Sequence, residues 1–209
     1  MDRSYIRDAI IRSQHCQRNW DLDQAIPAED LDLIVLAATQ CPSKQNLAFY
    51  RCHFIQNRDI IEKINKATYS MGSSSALHTN SQTLANLIIV FEEYEDLSHR
   101  PFNERNDEVV KFNMKDPATG IYIEEDRQQA IGIAAGYVNV VASLLGYSTG
   151  CCKCMDGPEV KNILGIERRP ELIMGIGFKD KTRNRRIHHE GDFVFPAHKK
   201  QEISVQWWN

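Results

Sequence analysis

The chain has 209 residues, of which 42% are hydrophobic and 25% charged, with a formal net charge of −3. That length suits one well-buried domain rather than two, and the slightly acidic balance gives no electrostatic case for nucleic acid or an anionic membrane. The charged opening MDRSYIRDAIIRSQ does not read as a secretory signal, and the longest apolar run, Ile131 to Leu145, is too short for a membrane span and carries Asn139. A soluble, cytoplasmic protein is expected.

In chain order, Tyr5 to Cys16 reads as a helix with Ile6, Ala9 and Ile10 on one face. A second helix starts at Pro27, has Glu29 and Asp30 in its first turn, and repeats Leu31, Ile34, Val35 and Ala38 at helical spacing. It stops before Pro42, which biases Cys41 away from helical geometry. FYRCHFIQN alternates like a strand, RDIIEKINKAT follows as a short helix, and LANLIIVFEE is a continuous apolar run suited to a strand covered on both faces. Residues 94–129 are polar and irregular, the pattern of a lid-like insertion. EEDRQQAIGIAAGYVNVVASLLG is a helix apolar nearly all round, which buries itself in a core or across a subunit interface. A loop with three cysteines, a short helix DGPEVKNILG and a buried strand ELIMGIGF come next, and residues 187–209 form a C-terminal extension. Helices outnumber strands in this reading and do not strictly alternate with them, so the class is α+β, a mixed sheet flanked by helices.

Six cysteines are scattered through the chain, with Cys151, Cys152 and Cys154 close together. Three uses are open: a metal site, a regulatory disulfide, or a pocket wall of small soft side chains. No second Cys or His pair with zinc spacing accompanies them, and His188–His189 is adjacent rather than spaced, so no metal is expected. Three distant segments, RSQHCQRNWD, CPSKQN and KTRNRR, share an anion-friendly character; basic loops are often only solvated surface, but converging ones make a phosphate clamp. Neither a dinucleotide fingerprint nor a P-loop is present.

The order of these segments resembles the flavin-dependent nitroreductase family across roughly residues 5–186. QHCQRNW (14–20) is similar to the family's opening Arg-Arg-Ser-x-Arg-x-Phe element, and QCPSKQNLAFYRCHF (40–54) to its Pro-Ser-x-x-Asn segment and the strand after it. AIGIAAGYVNVVASLLGYSTGCCKCMD resembles the family's central helix and following loop, and PEVKNILGIERRPELIMGIGF its closing helix and strand. The resemblance implies bound FMN, NADH or NADPH as electron donor, an electron-poor acceptor such as a nitroaromatic or quinone, and a homodimer with flavin sites at its interface. It implies cofactor contacts from Arg18, from Gln14, His15 and Cys16 of the opening element, and from Pro42, Ser43, Lys44 and Asn46. Cys151, Cys152 and Lys153 would stand at the flavin edge, and Arg183 with Arg185 (or Arg186) at the phosphate. No catalytic side chain is implied, since the chemistry belongs to the cofactor. The sequence departs from the family pattern at Gln14, His15 and Cys16, and after Asn46, where Leu47-Ala48-Phe49 replaces Gln-Pro-Trp. A sensor, a dehalogenase, a flavin-modifying enzyme, or a thiol or metal regulatory protein centred on Cys151, Cys152 and Cys154 is the alternative reading.

Overall fold

A computed structural model of the protein describes residues 2–71, 77–94, 121–196 and 198–208. Within them the chain runs α1 (Arg3–Ser13), β1 (Trp20–Asp21), α2 (Ala28–Thr39), β2 (Tyr50–Ile55), α3 (Arg58–Lys66), β3 (Ser70–Met71), β4 (Leu77–His78), β5 (Leu87–Glu93), α4 (Ile121–Leu144), β6 (Ser148–Cys152), α5 (Gly157–Leu164) and β7 (Pro170–Lys179). Short 3-10 turns at Lys44–Asn46 and Ser81–Leu84 complete it. The expected α+β class holds. Among the described residues strands are nevertheless more numerous than α-helices, because three of the seven are only two residues long and carry no periodic signal. Of the insertion expected at 94–129, residues 95–120 lie outside the described residues, and 121 onward is already helix.

The sheet is built on β5 and β7. β5 pairs antiparallel with β2 on one edge and β7 on the other, β7 also pairs with β6, and its far end meets β1. All these ladders are antiparallel; among the described residues the one parallel contact is an isolated bridge between Cys16 and Thr149. Successive side chains of a strand point to opposite faces, so β5 serves two cores. Leu87, Ile89 and Phe91 pack with α2 and α4 residues such as Ile34, Ala134 and Val138. Ile88 and Val90 pack on the other side with Ile61 and Ile64 of α3 and Val160 of α5. Each of these fully buried large side chains contributes about 1.5–3 kcal/mol.

Helix ends follow local chemistry. Pro27 stands at the N-cap position of α2, whose last helical residue is Thr39, with Gln40 as C-cap just ahead of Pro42. Asn57 and Asp156 accept backbone N–H groups at the starts of α3 and α5, and Gly165 closes α5 with φ 63°. The cysteine stretch expected as a loop is instead largely strand β6. Its Ser-Thr-Gly-Cys-Cys sequence has low strand propensity, and pairing along five residues of β7 overrides that.

Candidate active site

The end of α1 is fixed on α4. Ser143 Oγ donates to the Ala9 carbonyl at 2.8 Å, Arg12 Nη2 to the Ser143 carbonyl at 3.2 Å, and Asn139 Nδ2 to the Ser13 carbonyl at 2.9 Å. Asn139, the polar residue inside the apolar run, is therefore a positioning contact for the chain that follows. That chain runs beside β6, with Gln17 N–H donating to the Thr149 carbonyl at 2.8 Å. The approach is so close that a Cβ on Gly150 would lie 2.7 Å from the Gln17 carbonyl oxygen and 3.1 Å from Cys16 Sγ. Only glycine fits there.

The same loop is tied to the basic segment beyond β7. Asn19 Nδ2 donates to the carbonyls of Asn184 and Ile187 at 2.7 and 2.9 Å, and Arg185 Nη1 to the Cys16 carbonyl at 3.1 Å. The Phe195 N–H donates to the Arg186 carbonyl at 2.7 Å, Arg186 Nε donates to the Phe195 carbonyl at 3.1 Å, and Arg18 lies over the Phe195 ring at 4.4 Å. Between these segments is a cavity of about 430 Å³. Gln14, His15, Cys16, Arg18, Arg185 and Arg186 line it, and Pro196, His198 and Lys200 close it from the C-terminal segment. None of these nine is acidic, and Arg18 Nε is buried without a hydrogen-bond partner among the described residues. Guanidinium groups facing a cavity with no carboxylate are arranged for an anion such as phosphate.

Five expected residues thus meet here: Gln14, His15, Cys16, Arg18 and Arg185, with Arg186 beside them. Arg183 is engaged elsewhere, donating through Nη2 to the carbonyls of His188 and Gly191 at 2.5 and 2.8 Å. His198 and Lys200 escaped sequence reasoning, although PAHKK, a basic run directly after an aromatic pair, was a usable signal.

Pro42, Ser43, Lys44 and Asn46 do not line the cavity. Lys44 Nζ pairs with Asp126 in the first turns of α4 at 2.7 Å, whereas the cavity loop is anchored near Ser143 at the other end. Seventeen residues of helix separate those anchors, about 25 Å at 1.5 Å per residue. The loop itself is strained: Asn46, Ala48 and Phe49 have φ of 60°, 58° and 68°, a conformation unusual for non-glycine residues that concentrates at ligand-contact sites. Buried Leu47 and Phe49, and the Ala48 N–H donating to Ser43 Oγ at 2.8 Å, hold it there.

The three clustered cysteines differ from one another. Cys152 is buried and accepts from Asn80 Nδ2 at 2.9 Å, so it is part of a packed hydrogen-bond knot joining residues 69, 80 and 154. Cys151 and Cys154 are exposed, and all six cysteines are free thiols. Loss of hydration pushes Cys152 up to about 12. Despite its exposed surface, Cys151 is pushed up to about 11 by the surrounding protein, with the Cys16 thiol adding to it. Cys16 is raised as well, burial outweighing the nearby Arg18 and Arg185 charges. Thiols held protonated are poor nucleophiles, which weighs against a thiolate centre. Lys153 donates to Gln128 Oε1 at 2.9 Å and reaches solvent beside them.

Solved structures share this architecture. A nitroreductase family protein of Streptococcus pneumoniae is 17% identical, with 95% of this chain and 94% of that one covered and a TM-score of 0.62. A protein of Exiguobacterium sibiricum solved in complex with FMN is 16% identical over 96% and 94% of the two chains, with a TM-score of 0.66. An FMN-dependent nitroreductase of Clostridium difficile is 18% identical over 82% and 86%, with a TM-score of 0.56. No curated protein matches the sequence. The model of the nitroreductase family matches residues 11–178, a stretch that contains the opening loop, the strained loop and all of the sheet but the last residue of β7, and the chain belongs to that family.

Proposed function

We propose that the protein is an FMN-dependent oxidoreductase that takes hydride from NADH or NADPH and passes it to an electron-poor small molecule, such as a nitroaromatic or a quinone. The observation that carries this reading is the cationic cavity, where Arg18, Arg185 and Arg186 converge and Arg18 Nε lacks a partner among the described residues, in a chain of the nitroreductase family. The residues present fit a phosphate: a donor-rich, carboxylate-free lining next to a β6 backbone kept bare by Gly150. Bound flavin supplies the centre that accepts and releases hydride. The chain's own tasks are to hold the phosphate with the arginine forks, to keep Arg185 oriented through the Cys16 carbonyl, and to cover Arg18 with Phe195. Lys153, exposed at the end of β6, offers a cation to the cofactor or to an anionic acceptor, whereas Lys44 is already paired with Asp126.

The complete site, on this reading, needs two copies of the chain. The strained loop and the cavity are held at opposite ends of α4, and between them α4 exposes Gly132, Ile133, Gly136 and Tyr137. The C-terminal segment ends in Ile203, Val205, Trp207 and Trp208, all mostly solvent-exposed in the single chain. A small-residue helix face and an apolar arm are surfaces suited to a homodimer in which the 42–46 loop of one copy completes the cavity of the other. The described residues include no helix long and apolar enough to cross a membrane.

The test is the visible spectrum of the purified protein reconstituted with FMN, before and after anaerobic addition of NADPH or NADH. A bound flavin band that bleaches supports both parts of the reading. A protein that retains no flavin removes it, and one that holds flavin but does not bleach with either donor leaves a non-catalytic flavin binder.

A further inference from the structure

Beyond β7 the chain turns back on itself at residues 187–191, with Gly191 at φ 72°. Neighbouring side chains of an extended segment point to opposite faces, which is why two adjacent histidines argued against a metal in the sequence. The turn removes that objection, because it stacks the rings of His188 and His189 with centroids 4.2 Å apart and planes tilted by 41°. One ligand atom each from His188, His189 and Glu190 lies within 4.8 Å of the others.

The hydrogen bonds around the rings are those of a cation site. His188 Nε2 lies 3.2 Å from the Thr79 carbonyl oxygen, so Nε2 is assigned the proton and donates it there. Nδ1 is then an acceptor, taking the Glu190 N–H at 3.0 Å. On that assignment Nδ1, which stands 2.9 Å from the Glu190 carbonyl oxygen, faces a second acceptor beside a buried ring. A cation between or beside them relieves that repulsion. His189 Nδ1 is 2.9 Å from Ser81 Oγ; with its proton on Nδ1, the Nε2 lone pair turns toward Glu190, whose Oε1 is 3.8 Å away. A metal-binding imidazole is ordinarily oriented by such a bond on its other nitrogen.

We propose that His188, His189 and Glu190 form a binding site for a divalent transition ion of the zinc type, with solvent completing a tetrahedral shell. On binding, the Glu190 N–H gives up Nδ1 of His188, and the exposed Glu190 carboxylate swings inward by one rotamer. The ion would lock the turn that Arg183 grips through the carbonyls of His188 and Gly191 and that leads directly to Phe195 over Arg18. It is a structural staple for one wall of the cavity, and it does not depend on what the cavity binds.

Titration of the metal-stripped full chain with Co²⁺, followed by displacement with Zn²⁺, tests this. The expected result is one equivalent of Co²⁺ with a nitrogen- and oxygen-ligand spectrum, free of a thiolate charge-transfer band. His189→Ala and Glu190→Gln should each weaken it at least about ten-fold, and Ser81→Ala about 10- to 100-fold. Glu190 is exposed, so its substitution leaves folding undisturbed. Absence of saturable binding, a charge-transfer band marking cysteine ligation, or unchanged affinity in Glu190→Gln and His189→Ala would overturn the proposal.

Discussion

Arg18 stands where the opening loop, the segment beyond β7 and the C-terminal segment meet, with one face on Phe195 and its Nε facing no partner among the described residues. A charge-assisted hydrogen bond to an anion is worth about 1.5–3 kcal/mol. Arg18→Ala should therefore raise the FMN dissociation constant roughly 10- to 100-fold, read by titrating the apo-variant with FMN. Unchanged affinity would remove Arg18 from the site. Gly150→Ala acts on the same loop from behind: its Cβ meets the Gln17 carbonyl and the Gln82 side chain at 2.7 Å, so the 14–18 loop must shift away from β6. FMN affinity should fall at least about ten-fold, the loss of about one charge-assisted hydrogen bond from a displaced Arg18, and the same titration reads it. The sequence singled out Arg18, Arg183 and Arg185 (or Arg186) in basic segments, but which of them share a cavity is set by the fold, which brings Arg18, Arg185 and Arg186 together and turns Arg183 away. The need for glycine at position 150 was not legible in the sequence, since it arises from a carbonyl 133 residues earlier in the chain.

At the level of single elements, β5 ends in a charge that its apolar pattern conceals. Glu92 is buried at 1% exposure, accepts from the Arg168 N–H at 2.8 Å and contacts His53 Nε2 on the paired strand β2 at 2.7 Å. Burial alone would raise its pKa, but the His53 and Arg168 hydrogen bonds and the His53 and Arg51 charges outweigh that and lower it. A carboxylate whose folded pKa lies below the unfolded value, about 4.3, stabilises the fold fully above that value. The contribution disappears as pH falls through the depressed folded pKa. Removing one member of a buried pair costs about 3–5 kcal/mol; with His53 about a quarter exposed, a cost of about 2–3 kcal/mol is expected for Glu92→Gln near pH 7. Urea unfolding should give that difference near neutrality and a clearly smaller one near pH 3; a pH-independent difference would mean that packing rather than charge is lost. The elements with strong periodicity or clear caps, α2, α3, α5 and β5, were legible in sequence because their signals are local. β1 and β6 were not, because only their pairing with β7 makes them strands.

For the whole molecule, α4 presents one buried and one exposed face. Its buried stripe of Ala130, Ala134, Val138 and Ala142 faces the sheet, while Gly132, Ile133, Gly136 and Tyr137 face outward, with Ile133 and Tyr137 39% and 48% exposed. The sequence marked this helix as core or interface without choosing, since an apolar helix reads alike in both settings. Asp126, paired with Lys44 of the strained-loop segment, and Ser143, bound by Arg12 ahead of the cavity loop, lie about 25 Å apart along that helix, and on the proposed dimer reading a second copy laid against the exposed face would bring its own loop toward the first copy's cavity. A Cβ at Gly136 meets nothing within 4 Å, and replacing an exposed helical glycine favours the helix by up to about 1 kcal/mol. Gly136→Arg should thus leave the monomer fold intact while placing a bulky charge in the contact. Sedimentation should show a dimer for the parent protein and a monomer for the variant, with FMN affinity falling at least about ten-fold alongside. A variant that stays dimeric would exclude this face from the interface. A stable monomer with parental FMN affinity would mean that the cavity of one chain is sufficient, and that the strained loop serves some other contact.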